Sequence, residues 1–379
     1  MPTTIAAPKI KRAPAVQEDF LPLEGTDHIE FYVGNAKQAA HFYQSALGFQ
    51  PVAYSGPETG VRERVSYVVR QNKITFVLTT PLRAKHAISD HVLKHGDGVK
   101  AIALKVKDAT SAWKETTKRG GKSYMEPKTL TDEHGKIVLS GIHIYGEVVH
   151  MFVERDDYTG PFMPTFVKWE PSFCASETGL QYVDHCVGNV GWNQMNPWVK
   201  FYEEVMGFRN ILTFDDKDIS TEYSALMSIV MSDDSYSVKF PINEPAAGKR
   251  KSQIDEYLEA YGGPGVQHVA LQTKDVMFTV DRLQQNGIEF LRVPDSYYAQ
   301  LPNRVGELEE PIEEIKRLGI LVDKDQEGYL LQIFSKPVQD RPTVFFEIIQ
   351  RKGSRGFGKG NFKALFEALE LEQDRRGNL

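Results

Sequence analysis

Residues 265–294, GVQHVALQTKDVMFTVDRLQQNGIEFLRVP, decide the fold, because the same pattern recurs elsewhere in the chain. They align without a gap on residues 98–127, GVKAIALKVKDATSAWKETTKRGGKSYMEP. Two further copies follow the pattern more loosely. Residues 25–54 read GTDHIEFYVGNAKQAAHFYQSALGFQPVAY, and residues 179–211 read GLQYVDHCVGNVGWNQMNPWVKFYEEVMGFRNI. Each copy starts as an alternating strand, passes through a short polar link into a helix, and reaches glycine before a second strand. In the first copy Phe42, Ala46 and Phe49 recur at helical spacing, and Gly48 stands where a helix-ending glycine is common. Behind each copy lie strand-rich stretches such as KITFVLTTPL, GEVVHMFVER, SVKFPINEP and GYLLQIFSKP.

Each module therefore reads β-α-β-β-β, and modules join in pairs. The expected class is α+β: two domains, each a curled, mostly antiparallel sheet or open barrel with helices on its outer face. Residues 1–20 read as a loose tail, 21–155 as the first domain, 156–178 as a linker rich in proline and turn formers, and 179–379 as the second domain. Composition agrees with this picture. The 379 residues are 41% hydrophobic and 25% charged, with a net charge of −6. This allows sizeable cores and gives neither nucleic acid nor a membrane surface a basic field to meet. Two cysteines, Cys174 and Cys186, are too few for a disulfide framework, and neither a signal-peptide run nor a membrane-spanning run is present. The expectation is a cytoplasmic protein.

The chemistry is carried by two histidines and one carboxylate. His185 and His268 occupy the same place on the first strands of modules three and four, and Glu347 lies in the apolar strand VFFEIIQR. Strand alternation puts Val183, His185 and Val187 on one face, and likewise Val266, His268 and Ala270, and Phe345, Glu347 and Ile349. A lone strand histidine is usually structural. Two at matching repeat positions are hard to explain by packing, and a carboxylate in an apolar strand needs a partner. A metal is one; Arg351 is the competing one. Two His and one carboxylate leave open positions on a ferrous ion for O₂ and a chelating substrate. In the first half, His28 matches His185, His150 matches Glu347, and Ala101 stands where His268 would be, so that half is expected to hold no such metal.

The segments VDHCVGNV, FPINEP, KRKSQI, GVQHVAL, LLQIFSKP, FFEIIQRKG and GFGKGNFKALFEALE occur in one order from about residue 25 to the C-terminus, and there the chain resembles the 4-hydroxyphenylpyruvate dioxygenases of the vicinal oxygen chelate superfamily. The resemblance implies one Fe²⁺ per chain on His185, His268 and Glu347. It implies catalytic Ser228, Asn243 and Gln253, and a substrate pocket of Gln267, Gln332, Phe334, Phe345, Phe357, Asn361 and Phe362. Strand alternation turns Gln267 away from the metal, toward a supporting role. The implied reaction takes 4-hydroxyphenylpyruvate and O₂ to homogentisate and CO₂, a step of tyrosine and phenylalanine catabolism. The substrate carries its own 2-oxo acid, so no external one is needed.

Rival readings are a 4-hydroxymandelate synthase, an extradiol catechol dioxygenase, and a catalytically silent ligand-binding protein on the same fold. A homo-oligomer, dimer or tetramer, is expected, with the first half a plausible interface. The terminal segment 361–373 is amphipathic, with Phe362, Leu365, Phe366 and Leu369 on one stripe, and reads as a hinged lid. The preceding GSRGFGKG nearly spells a phosphate-binding loop but ends in Gly rather than Ser or Thr. Cys186 falls on the strand face opposite His185, and GKRKS at 248–252 reads as a solvated loop.

Overall fold

The computed structural model describes residues 19–171, 173, 175–215 and 225–377; Cys174 and residues 1–18 of the expected tail lie outside them. Module one supplies β1 (Leu23–Tyr32), α1 (Ala36–Leu47), β2 (Gln50–Ser55), β3 (Arg64–Gln71) and β4 (Ile74–Pro81), and is followed by α2 (Ala87–His95). Module two supplies β5 (Gly98–Val106), α3 (Ala109–Lys118), β6 (Ser123–Asp132), β7 (Gly135–His143) and β8 (Val149–Glu154). A short β9 (Val167–Lys168) completes a nine-stranded sheet in the order β6-β7-β8-β5-β1-β4-β3-β2-β9.

The second half repeats the plan. Module three supplies β10 (Leu180–Asn189), α4 (Met195–Met206), β11 (Arg209–Phe214), β12 (Ala225–Ser232) and β13 (Lys239–Ala246), followed by α5 (Gln253–Tyr261). Module four supplies β14 (Gly265–Thr273), α6 (Val276–Gln285), α7 (Asp295–Val305), α8 (Ile312–Leu318), β15 (Leu321–Lys324), β16 (Tyr329–Phe334) and β17 (Phe345–Lys352). The chain then forms α9 (Phe362–Arg375). The eight strands order as β11-β12-β13-β10-β14-β17-β16-β15. Only the β1/β4, β5/β8, β10/β13 and β14/β17 pairs are parallel, each closing one module.

One expected strand is absent. In module four the stretch after Gly287 makes only an isolated bridge, Phe290 to Ser335. Pro294 then opens α7, and two inserted helices postpone the second strand to β15. The expected end of helix one holds: Gly48 adopts φ +78° and its N–H bonds the Gln44 carbonyl.

A continuous core joins the halves. Phe346 of β17 packs on Phe31, Tyr43 and Phe76 of the first half, and His150 of β8 packs on Tyr202 and Phe240 of the second. The segment after β8 folds back into the first sheet. There Phe162, 1% exposed, clusters with Ala53, Val68 and Val77. Phe162→Ala would leave a cavity at that point. It should lower the free energy of unfolding by about 3–5 kcal/mol in a denaturant titration while leaving turnover per folded molecule intact.

Candidate metal centre and its pocket

His185, His268 and Glu347 come from adjacent strands of the second sheet. The backbone of Glu347 lies beside Ala270, which in turn lies beside His185, and His268 is two residues up the middle strand. Each side chain is buried. The Nε2 atoms of His185 and His268 lie 3.2 and 3.4 Å from Glu347 Oε2. Burial alone would raise the Glu347 carboxyl, but the two imidazoles beside it hold it down to about 2. Two neutral nitrogens and one carboxylate converge on a single point, a donor set that suits a divalent ion with open positions.

Each imidazole is aimed by the residue before it. Asp184 Oδ1 takes the Nδ1 hydrogen bond of His185 at 2.8 Å, and Gln267 Oε1 takes that of His268 at 2.9 Å. Both bonds put the lone pair on Nε2, facing Glu347. An ideal strand would send consecutive side chains to opposite faces. The pairing of β10 with β14 slips at Asp184, and again opposite Gln267, so each is the extra residue of a bulge. That bulge corrects the sequence expectation for Gln267, which both lines the cavity and holds His268.

Arg351 does not pair with Glu347. Four residues along a strand is about 13 Å, and the guanidinium instead forks onto Asp184, with Nε to Oδ2 at 2.8 Å and Nη2 to Oδ1 at 2.9 Å. Burial would raise the Asp184 carboxyl, yet the fork and His185 hold it well below the usual carboxylate range. Arg351→Ala should therefore strand a buried anion and destabilise the fold by about 3–5 kcal/mol. Lys239 Nζ, 3.9 Å from Asp184, draws the value toward the lower end. Metal affinity should also fall about 10- to 100-fold, because His185 loses its orientation. Urea unfolding of the metal-free chain and a metal titration read the two effects separately.

The first half retains the support and one of the three ligand positions, His28, and lacks the other two. His28 Nδ1 bonds Asp27 Oδ1 at 2.6 Å, and Arg155 Nη2 bonds the same oxygen at 2.8 Å. Phe162 stands edge-on to His28 at 5.2 Å, as Phe357 does to His185 at 5.0 Å. The missing ligands are Ala101 and Met151. His150 is not the counterpart of Glu347, because His28 pairs with Ala103, and Ala103 pairs with Met151. His150 instead bonds the Tyr202 hydroxyl at 2.9 Å in the core between the halves.

The cavity beside the triad is lined by Ser228, Asn243, Gln253, Gln267, Phe334, Phe345, Phe357 and Phe362 among the residues singled out from sequence. Ser228 and Asn243 are direct cross-strand neighbours, and Gln253 opens α5 behind its cap Ser252. Gln332 and Asn361 do not line it. Gln332 is buried against Gly358, with no partner for either amide atom, and Asn361 Oδ1 accepts from the Tyr297 hydroxyl at 2.6 Å. Phe214, Leu226, Val230 and Pro241 complete the apolar wall; strand parity with Ser228 signals Leu226 and Val230, parity with Asn243 signals Pro241, and Phe214 enters only as the cross-strand neighbour of Ser228.

Helix α9 covers the mouth with Phe362, Leu365, Phe366 and Leu369, the expected stripe. In the loop before it, the backbone N–H groups of Arg355 and Gly356 donate to Asp325, and that of Gly360 donates to Asp323. Carboxylates already fill the positions a phosphate would need. Cys186 is buried, and burial pushes its thiol up, away from nucleophile chemistry.

The glyoxalase/bleomycin resistance protein/dioxygenase superfamily model matches residues 25–155 and 182–333. The 4-hydroxyphenylpyruvate dioxygenase of Yarrowia lipolytica is 47% identical over 368 residues, covering 94% of this chain and 93% of the relative. The chain belongs to the 4-hydroxyphenylpyruvate dioxygenase family. Another member of that family, from Dictyostelium discoideum, is 47% identical over 94% of this chain and 100% of its own. Among solved structures, a triple mutant of 4-hydroxymandelate synthase from Streptomyces coelicolor superposes with a TM-score of 0.83. It is 29% identical, over 93% of this chain and 100% of that one. The family consists of dioxygenases, and a dioxygenase of this superfamily implies a metal. No helix among the described residues is long and apolar enough to cross a membrane.

Proposed function

We propose that this chain converts 4-hydroxyphenylpyruvate and O₂ to homogentisate and CO₂, using one Fe²⁺ held by His185, His268 and Glu347. The observation that carries the reading is the complete ligand set at the foot of an aromatic-walled cavity, in a chain 47% identical to curated enzymes of that name over nearly its whole length. Iron supplies what the side chains cannot: a place to bind and reduce O₂ beside the chelated 2-oxo acid.

The residues do the rest. Asp184 and Gln267 each accept from Nδ1 of one imidazole, so Nε2 is the atom each ring turns toward Glu347 and the metal. Phe334, Phe345 and Phe357 hold the aromatic ring near the metal and keep water out. Ser228, Asn243 and Gln253, at the polar wall, hydrogen-bond the phenol hydroxyl and fix which ring carbon faces the metal. The balance closes on one turnover: one oxygen atom enters the carboxylate left after loss of CO₂, the other becomes the new ring hydroxyl, and the side chain moves to the neighbouring carbon.

Residues 21–155 serve as a structural and oligomerisation domain, and residues 179–379 as the catalytic one. A cytoplasmic location and a homo-dimer or tetramer belong to the same reading, on the strength of the family resemblance. Oxygen uptake with 4-hydroxyphenylpyruvate and Fe²⁺, followed by product identification, tests the reading. Homogentisate supports it; 4-hydroxymandelate would turn it toward the synthase seen among the structural neighbours, and no uptake in the metal-loaded protein would overturn it.

A further inference from the structure

We propose a second divalent-cation site, of the zinc class, at His91, His95 and Glu147 in the first half. His91 and His95 stand four residues apart on α2, hence on one face of the helix. Glu147 lies in the turn before β8 and reaches both: its Oε2 is 2.9 Å from His91 Nδ1 and its Oε1 is 3.2 Å from His95 Nε2. In the catalytic triad the corresponding distances are 3.2 and 3.4 Å, both to a single carboxylate oxygen. Two histidines at i and i+4 with a carboxylate make a three-ligand zinc set that leaves a fourth position for water.

The second observation concerns where the protons are. The ring of His95 is 1% exposed, and its Nδ1 lies 2.5 Å from the carbonyl oxygen of Tyr261. A carbonyl only accepts, so Nδ1 carries the proton, and the lone pair of a neutral His95 sits on Nε2. That nitrogen faces the Glu147 carboxylate, which also only accepts. Two acceptors at 3.2 Å repel unless a cation lies between them. A proton there would make a fully buried imidazolium beside His91; a metal ion satisfies both groups at once. His91 lies against His95, with ring centroids 4.5 Å apart, and brings its Nδ1 to the other carboxylate oxygen.

Lys94 competes for the site. Its Nζ is 2.9 Å from Glu147 Oε1, and at 52% exposure it can swing into water when an ion enters. Lys100 approaches the same turn by bonding the Glu147 backbone carbonyl and not its carboxylate. The site also lies on the seam between the halves. His95 holds the end of α5 through Tyr261, and Arg341 binds the carbonyls of Leu93, Lys94 and Ala260 at the ends of both helices. An ion on α2 therefore tightens the anchor of a helix whose first residue, Gln253, lines the catalytic cavity.

The test is the zinc stoichiometry of the full-length, metal-free chain. Two equivalents are expected in the unsubstituted protein, one in His91→Gln and one in His95→Gln. Lys94→Ala should bind the second equivalent several-fold more tightly, a change that a purely structural cluster would not produce. A single equivalent in the unsubstituted protein overturns the proposal without any variant having to fold. Two equivalents that persist in both histidine variants overturn it as well, by placing the ion on other surface groups. Oxygen uptake with Fe²⁺ is read separately, so failure of the catalytic reading is told apart from failure of this one.

Discussion

Glu347→Ala loses turnover to background and one bound metal equivalent per chain, while the metal-free protein stays folded. Glu347 is the only anionic donor of the triad, and it is the group on which both imidazoles converge. Without it the two histidines remain buried, held by Asp184 and Gln267, but they present two neutral nitrogens to a dication in a low-dielectric site. Glu347→Gln separates charge from shape: it fills the same space, so an equal loss of metal would assign the effect to the charge. His185→Ala and His268→Ala should lose activity to the same level. Stability follows a different rule. The two imidazoles hold the buried Glu347 carboxyl below its usual range in the metal-free chain, so its removal should lower the unfolding midpoint at neutral pH. Oxygen uptake, metal content and urea unfolding on one preparation check all three statements. Retained turnover in the alanine variant would overturn the assignment of the centre.

The centre could be read from sequence because repetition makes position meaningful. His185 and His268 share a place in two modules, and Ala101 marks the copy that lost it. The support around them could not be read that way. Asp184 and Gln267 reach the metal side only because each strand bulges at that residue, and a bulge leaves no mark in an alternation count. Arg351 is the partner that competes with a metal for Glu347 in the sequence; the rise per residue carries it past Glu347 to Asp184. The match of His150 to Glu347 fails because Ala103 pairs with Met151. Aligning Arg155 on Arg351 instead puts Met151 on Glu347 and Glu154 on Gln350, and matching His28 to His185 puts Asp27 on Asp184. The structure bears out each: Glu154 accepts from the first N–H of α3 as Gln350 does from that of α6. The duplicated Asp–His–Arg cluster also explains why the first half kept its shape after losing two ligands. Its histidine is held by groups that serve packing as well as metal, and Phe162 occupies the space beside it.

Deleting residues 361–379 should abolish turnover and spare the bound metal. None of the three ligands lies in the removed segment, and Asp184, Gln267 and Arg351 all remain. What is lost is the cover: Phe362, Leu365, Phe366 and Leu369 are the only part of α9 that faces the cavity, and behind them the aromatic wall would open to water. An exposed site would let the substrate ring move relative to the ion and let water reach the reacting centre, the losses that closing elements prevent. The helix is also tied at both ends. Asn361 is held by the Tyr297 hydroxyl at 2.6 Å, and Arg376 forks onto Glu256 of α5 at 3.0 and 2.7 Å. Arg376→Ala frees the far end alone, so it should lower kcat/KM several-fold with the metal content unchanged, a graded version of the truncation. If the truncated chain kept full oxygen uptake and gave the same product, α9 would be a docked terminal helix and not a lid. If it lost the metal as well, the helix would be needed to hold the centre together, and the loop of Gly353–Gly358 that packs Phe357 against His185 would be the place to look for the reason.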